Sequence, residues 1–474
     1  MSFLFAEWKR KFSLSTYKNL RIRLGEMSFL KDFVRDTRGD LYPVREKSVD
    51  ASESVKGNRY AVEEGAVSRL FCQFFPYATY EATFDREKGR VGFSFRVGAG
   101  EASLLMEEDR VLFACGNREE RFPIPAEIAA RDSLLVSCRP GAFDVYVREN
   151  GKPAFVCTVK EESFRDSNRE EIFADGYVYL RAEGRVTVKE VLSYLDSGIS
   201  LADIRPIRYE SGEVISEGGR MFFTASIRLA EGAMQGIFSW IPGTAEIEMT
   251  GALYFDCGDG RWRNYLASVI LYHREWKKWL LWTSSFENGH VLAYGMMEGD
   301  PRFGVNVADV TLMERAKEGD TFSDFVGFPG DEDPDLLYDE KNNRWLLAIC
   351  RINPKIKSYV YMFFESDNPF KNFKYIGCGR EGAETGGSFV NMNGELFFVC
   401  GNDFKKTSEY RIYSKSGMKI ANFNYPDGGF RGWGSVFSIQ TGSRTGYVWL
   451  TFDRHQGSDY KWSYGNLYCF EMIV

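Results

Sequence analysis

The sequence predicts an all-β protein, in which an N-terminal β-sandwich is followed by a five-bladed β-propeller. Three observations predict this class. Aromatic residues make up 16% of the 474 residues and 46 residues are glycine, a combination that favours strands separated by frequent turns. From about residue 60, short runs that alternate apolar and polar residues follow one another closely. In the C-terminal part, a longer unit of strand, polar turn and aromatic-rich strand recurs.

Composition and charge narrow the classes of partner. Hydrophobic residues make up 44% and charged residues 27% of the chain, which is an ordinary globular composition. The net charge of −7 excludes a bulk electrostatic attraction to nucleic acid. No apolar run approaches the ~20 residues that cross a bilayer. We therefore expect neither nucleic acid nor a membrane as a partner.

The cysteines and the N-terminal residues predict a cytoplasmic location. The nine cysteines form no C-x-x-C pair, and most lie in apolar, strand-like stretches, which indicates buried free thiols. The first 24 residues contain no continuous apolar core and no small-residue cleavage site. Both observations favour a reducing compartment.

Three segments are predicted along the chain. Residues 1–55 have a mild basic excess and predict a leader with one or two helices. Residues 56–198 contain closely spaced alternating runs, such as 90–98 and 142–150, which predict an antiparallel sandwich. In outline, this segment resembles the concanavalin-like and laminin-G-like sandwiches.

Residues 199–474 predict the propeller. The repeated units have first strands that begin near Asp203, Asn264, Asp333, Glu384 and Gly434. A four-stranded blade needs about 40–50 residues plus loops. The five units therefore predict five blades.

Acidic residues mark the beginning of three of these first strands, at Asp203, Asp333 and Glu384. The innermost strand of each blade lines the central channel, so we expect these side chains to converge at one end of it. Carboxylates that share a pocket shift one another's pKa values apart. Glycoside hydrolysis requires one protonated and one ionised carboxyl group.

Because of the order and spacing of these acidic residues, the C-terminal segment resembles the five-bladed propeller glycosidases of glycoside hydrolase families 43, 62, 32 and 68, most closely family 43. The shared features are Ala202-Asp203, then Asp333-Pro334, then Glu384 ahead of an Asn-Gly turn and an aromatic-rich strand. The resemblance implies Asp203 as general base, Asp333 as the carboxylate that tunes the acid, and Glu384 as general acid. It also implies an arabinofuranoside, xyloside or related carbohydrate substrate and no organic cofactor. Family 43 enzymes invert at the sugar and families 32 and 68 retain, so the stereochemical outcome stays open.

The chain departs from the family pattern at two of these positions. Proline follows Asp203 only at Pro206, and the family's Glu-Gly-Pro is Glu384-Thr385-Gly386 here. Glu381, in Glu381-Gly382-Ala383, matches that motif more literally and is a rival for the acid. The Asn-Asp-Pro-Asn signature of the fructan-cleaving families is absent, which argues against families 32 and 68.

Three further residues are candidates for substrate binding. His455 lies in the last blade, where some family 43 arabinanases place a histidine near a bound ion or water. Trp433 can stack on a sugar, although a tryptophan more often packs in a core. Arg205 follows the first acidic residue closely. No metal ligands are predicted, and a channel Ca²⁺ has no support in the sequence.

Two other functions remain open at this stage. One is a non-catalytic propeller that binds carbohydrate or protein, since propellers have many functions. Separated or salt-bridged carboxylates would favour it. The other is a phosphorolytic or group-transferring enzyme on the same scaffold, for which an isolated arginine such as Arg205 is insufficient.

Overall fold

The computed structural model describes 20 stretches of the chain, and it confirms the predicted all-β class. The stretches are 7–15, 21–23, 42–44, 52–56, 59–64, 66–129, 131–149, 152–196, 200–228, 232–242, 244–314, 326–379, 381–392, 394–402, 409–414, 417–422, 430–431, 434–441, 444–454 and 466–473. Within them, helical structure is confined to a 3₁₀ turn (Glu162–Phe164) and a short helix, α1 (Glu170–Phe173). No helix in these stretches combines the length and apolarity that crossing a membrane requires.

The chain divides into two compact units. One comprises Tyr17–Asp196 with Asp259–Trp262, and the other Met1–Thr16, Ser197–Gly258 and Arg263–Val474. The predicted boundaries at residues 55 and 198 stay predictions. The helix predicted for the leader is wrong for residues 7–15, which form strand β1 (Glu7–Ser15) in the second unit.

The first unit is a folded antiparallel sheet. Its strands are β2 (Arg21–Arg23), β3 (Tyr42–Val44), β4 (Ser52–Lys56), β5 (Arg59–Glu64), β6 (Ala66–Gln73), β7 (Thr79–Val97), β8 (Gly100–Met106), β9 (Arg110–Cys115), β10 (Arg118–Pro123), β11 (Ser133–Arg139), β12 (Ala142–Glu149), β13 (Lys152–Lys160) and β14 (Tyr177–Asp196).

Two long strands hold this unit together. β7 and β14 pair along most of their length, and the other edge of β7 pairs first with β11 and then with β8. The sheet therefore has two arms, and Phe113 on β9 contacts Phe143 on β12 across them, with ring centroids 6.5 Å apart.

The two long strands approach closely at a pair of glycines. Gly89 lies opposite Gly184, where a Cβ on Gly89 would fall 1.9 Å from the Glu183 carbonyl oxygen. The concanavalin-like type of this sandwich stays a prediction.

The second unit contains the remaining strands. They are β15 (Ser200–Pro206), β16 (Arg208–Tyr209), β17 (Ser216–Glu217), β18 (Arg220–Arg228), β19 (Ala233–Trp240), β20 (Ile247–Asp256), β21 (Leu266–His273), β22 (Lys278–Ser285), β23 (Val291–Met297), β24 (Gly304–Leu312), β25 (Glu332–Asp339), β26 (Arg344–Asn353), β27 (Ser358–Ser366), β28 (Lys374–Cys378), β29 (Glu384–Met392), β30 (Glu395–Asn402), β31 (Glu409–Ser414), β32 (Gly417–Asn422), β33 (Phe430–Arg431), β34 (Ser435–Thr441), β35 (Arg444–Arg454) and β36 (Asn466–Ile473).

These strands form five four-stranded antiparallel blades. Blade I is β15-β18-β19-β20, blade II is β21 to β24, blade III is β25 to β28, blade IV is β29 to β32, and blade V is β34-β35-β36-β1. The first strands contact one another in cyclic order, β15 to β21, β25, β29, β34 and back to β15, so the ring closes. The predicted number of blades and the predicted propeller are confirmed.

Apolar side chains fill the spaces between consecutive blades. Between blades II and III, for example, Val269 and Trp282 pack with Trp345 and Leu347, all almost fully buried. A similar cluster joins blades IV and V around Trp449. The core of this unit is therefore distributed around the ring, and the axis is left to the first strands.

Small polar side chains join neighbouring blades at their first strands. The Ala267 N–H donates to Ser226 Oγ at 3.2 Å, and the Asp333 N–H donates to Ser284 Oγ at 2.9 Å. Ser435 Oγ donates to the Ile204 carbonyl at 2.6 Å, which joins blade V to blade I. The first two bonds join a first strand to the second strand of the preceding blade, and the third joins two first strands.

Candidate active site

A β-bulge occurs at the same position in four of the five first strands. Pairing with the second strand is interrupted after Ala202, Leu266, Glu332 and Thr385 in blades I to IV. The next residue in each case has a positive φ: Asp203 (52°), Ala267 (52°), Asp333 (49°) and Gly386 (55°). Three of these are not glycine, and such strained residues cluster at functional sites.

Asp203 and Asp333 occupy this bulge position in blades I and III. Blade II separates those two blades in the ring, yet the Asp203 carboxylate is close enough to Asp333 to raise the pKa of its carboxyl group. The two side chains therefore interact electrostatically across the ring. The structure brings together the first two predicted acidic residues.

The two carboxyl groups have different surroundings. Asp203 Oδ2 lies 3.3 Å from Arg228 Nη2, and both side chains are largely buried. The pKa of Asp333 is held well above its usual range, first by burial and then by Glu332 and Asp203. Arg205 and the Gly386 N–H, which donates to Asp333 Oδ2 at 2.9 Å, act in the opposite direction without reversing it. One carboxylate thus has a cationic partner, while the other favours its protonated form.

Glu384, the predicted general acid, is enclosed by protein donors. Its carboxyl group accepts hydrogen bonds from the Tyr361 N–H at 3.1 Å, the Glu381 N–H at 3.3 Å and the Tyr413 hydroxyl. Arg411 Nη1 lies 3.7 Å from Oε1. Burial raises the pKa of Glu384, although these hydrogen bonds and Arg411 act to lower it. None of the surface of Glu384 is exposed.

The rival acid and the other predicted residues lie as follows. The Glu381 side chain is exposed, and the backbone N–H of this residue donates to Glu384. Arg205 is fully buried and interacts electrostatically with Asp333 and Asp203. Trp433 and His455 lie outside the described residues.

A histidine that the sequence analysis did not select lies beside this pair. His290 Nε2 lies 2.9 Å from Glu332 Oε2, and Glu332 directly precedes Asp333. His290 also contacts the ring of Phe286, with centroids 4.7 Å apart, and 45% of Phe286 is exposed. The turn between β22 and β23 carries both residues. The sequence signal that could have pointed to His290 is that the chain has only three histidines.

Three side chains here have metal-ligating atoms close to one another. Ligand atoms of Glu332, Asp333 and Cys350 lie within 4.8 Å, among the residues that the structure describes. Ca²⁺ prefers oxygen ligands only, and the Cys350 thiol instead donates to the Glu384 carbonyl at 3.2 Å. The group does not fit a Ca²⁺ site.

Comparison with known proteins finds similar structures but no similar sequences. No family model matches the chain. No curated protein matches it. The similar structures include a thermostable family-43 glycoside hydrolase, which is 12% identical over 58% of this chain and 89% of that chain, with a TM-score of 0.40.

Two further similar structures are enzymes whose names state a substrate. An endo-1,4-β-xylanase from Bacteroides thetaiotaomicron is 14% identical over 59% of this chain and 92% of that chain, with a TM-score of 0.38. The catalytic domain of the GH62 α-L-arabinofuranosidase from Coprinopsis cinerea is 12% identical over 58% of this chain and 91% of that chain, with a TM-score of 0.36. At these values the likeness assigns neither a substrate nor a mechanism to this chain.

Proposed function

We propose that the propeller hydrolyses glycosidic bonds, with Asp203 and Asp333 as the catalytic carboxyl pair. The observation that carries the proposal is the placement of these residues. They occupy the same strained bulge position on two non-adjacent blades and interact electrostatically across the ring, one paired with a cation and one favouring its proton. Pairs of carboxyl groups with pKa values pushed apart are the machinery of glycoside hydrolysis.

The surroundings suggest a role for each residue. The carboxylic acid of Asp333 donates its proton to the leaving oxygen as the glycosidic C–O bond breaks. The Asp203 carboxylate, held by Arg228, accepts a proton from the water that attacks the sugar carbon. The resemblance assigned the acid role to Glu384, but that side chain has no exposed surface and is bonded to several protein donors. We therefore propose Glu384 as a positioning residue between blades III and IV.

Methoxyphenyl glycosides, whose leaving group needs protonation, provide the test of this proposal. The panel comprises arabinofuranosides and xylosides, the substrates that the family 43 resemblance implies, together with other sugars. We expect Asp203→Asn and Asp333→Asn to lower the hydrolysis rate by about 10²–10⁴-fold. Glu381→Gln, at an exposed acidic residue nearby, is the matched control and should retain the wild-type rate. Full activity in either Asn variant would contradict the assignment.

A non-catalytic carbohydrate-binding propeller is the second candidate. This function is favoured by the hydrogen bonds that the backbone donates to the acidic side chains. The Gly386 N–H donates to Asp333, and the Tyr361 N–H donates to Glu384. Titration calorimetry with xylo- and arabino-oligosaccharides distinguishes the candidates. Binding without hydrolysis of any glycoside would support this function and exclude the enzyme.

We also propose a reducing, cytoplasmic location. Its support is that eight of the nine cysteines, all except Cys469, are free thiols, and five of these eight are buried. Thiol titration of the denatured protein, purified without reductant, tests this. Fewer than eight reactive thiols would contradict it.

A further inference from the structure

One buried cation near the proposed catalytic pair has no counter-charge bonded to it. None of the Arg205 side chain is exposed, and none of its three guanidinium nitrogens has a hydrogen-bond partner among the described residues. Burial lowers the pKa of Arg205, but Tyr361 and the neighbouring aspartates raise it more, so the group stays charged. An unpaired buried charge is costly, and proteins rarely retain one without a partner.

Arg208, three residues later in the same ring, has hydrogen-bond partners on both terminal nitrogens, although its Nε has none within the described part of the chain. Its burial is the same within one per cent. Arg208 Nη2 donates to both carboxylate oxygens of Asp335, at 2.8 and 2.7 Å, and Nη1 donates to the Phe389 carbonyl at 2.7 Å. A fully buried guanidinium in this unit can therefore still form hydrogen bonds. Arg205 differs because all three of its guanidinium nitrogens lack a partner among the described residues.

The carboxylates around Arg205 do not neutralise it. Three aspartates interact with it electrostatically: Asp335, Asp333 and Asp203. Asp335 is paired with Arg208, and Asp203 is paired with Arg228. Asp333 is buried where the protonated form is favoured. None of these three carboxylates is therefore hydrogen-bonded to the Arg205 guanidinium.

We propose that Arg205 is the main ligand of an enclosed site for a single monovalent anion. A guanidinium presents up to five N–H donors and accepts none, so its natural complement is an anion. Because Arg205 has no exposed surface, the anion that fits this site best is a small inorganic one, such as a halide. The carboxylate of an acidic sugar has the same chemistry and is the second source. The site goes beyond the proposed hydrolysis, which requires no anion.

Bromide is the probe for this site because it scatters anomalously. Crystals of the full chain grown in sodium bromide should show an anomalous peak within hydrogen-bond distance of the Arg205 guanidinium. A map that shows only water there, at high bromide occupancy elsewhere, would overturn the proposal. This measurement uses the wild-type chain and does not depend on a variant that folds.

Thermal unfolding supplies an independent measurement. Bromide should raise the Tm of the wild-type chain by roughly 2–5 °C more than that of Arg205→Met. Nonspecific salt effects act on both chains and cancel in the difference. Without halide, Arg205→Met should unfold at or above the wild-type temperature, since it removes an unpaired charge. The matched control Arg208→Met leaves Asp335 unpaired and should lower the Tm with or without bromide.

Two sugars distinguish the sources of the anion. A bromide effect with no effect of sodium glucuronate indicates a halide site, while a glucuronate effect with none of xylose indicates an acidic substrate. Equal Tm shifts in wild type and Arg205→Met for every probe would overturn the proposal. Because these measurements do not use hydrolysis, their failure is distinguishable from failure of the proposed enzyme.

Discussion

At the scale of single residues, the site depends on three acidic side chains in different surroundings. Asp203 is paired with Arg228, Asp333 is buried with one backbone donor, and Glu384 is enclosed by several donors. The sequence identified all three by their place at the start of first strands. It did not identify Arg228 or His290, because their relation to the site depends on how neighbouring strands and turns meet at the ring.

The raised pKa of Asp333 predicts a pH-dependent stability. The folded state holds this proton more tightly than the unfolded chain does, so its contribution is complete below the unfolded pKa of ~4 and is lost as the pH rises towards the folded pKa. Asn at this position still accepts the Gly386 N–H bond and carries no charge. The Tm of Asp333→Asn relative to wild type should therefore increase between about pH 4 and pH 8. A difference that does not change with pH would contradict the burial of an ionisable group there.

Glu384 as a positioning residue predicts a loss of stability. Glu384→Gln replaces one of the two carboxylate oxygens, which together accept three protein hydrogen bonds, with an NH₂ group that cannot accept any. We expect a loss of about 1–3 kcal/mol in the free energy of unfolding, measured by urea denaturation. The exposed Glu381→Gln variant should change it by less than about 0.5 kcal/mol. Equal stability of the two variants would argue against the positioning role.

At the scale of elements, the bulge explains what the repeat pattern could and could not predict. Side chains in a strand alternate between faces, and a bulge shifts that alternation by one residue. The strand starts were predictable from turn residues and aromatic-rich runs, and all five predicted starts lie within three residues of those observed. The direction of Glu384 was not predictable, because it precedes the bulge at Gly386, whereas Asp203 and Asp333 occupy theirs.

The bulge position also predicts the effect of a glycine substitution. Gly386 has a φ of 55°, so Gly386→Ala should cost about 1–2 kcal/mol in the free energy of unfolding. Gly377→Ala is the matched control, because this residue has no positive φ and no heavy atom within 4 Å of an added Cβ. Urea denaturation of both variants measures the difference. Equal stabilities would show that the bulge at Gly386 carries no strain.

At the scale of the propeller, strand β1 completes the ring from a distant part of the chain. β1 pairs antiparallel with β36, from Glu7 opposite Ile473 to Ser15 opposite Asn466, with one register shift between Arg10 and Phe12. It forms the outer strand of blade V. The sequence analysis predicted helices here because local periodicity does not reveal a strand whose partner lies more than 450 residues away. Removal of residues 1–16 should lower the Tm by more than ~5 °C, measured by circular dichroism. An unchanged Tm would mean that β1 does not stabilise the ring.

The leaving-group dependence of hydrolysis tests the assignment of the carboxyl pair most directly. A dinitrophenyl glycoside departs without protonation, whereas a simple alkyl or methoxyphenyl glycoside needs an acid. We predict that Asp333→Asn keeps most of its rate on the first substrate and loses it on the second, while Asp203→Asn loses both. If Glu384→Gln shows that selective loss and Asp333→Asn does not, the proton comes from Glu384, and the pairing proposed for Asp203 and Asp333 is wrong.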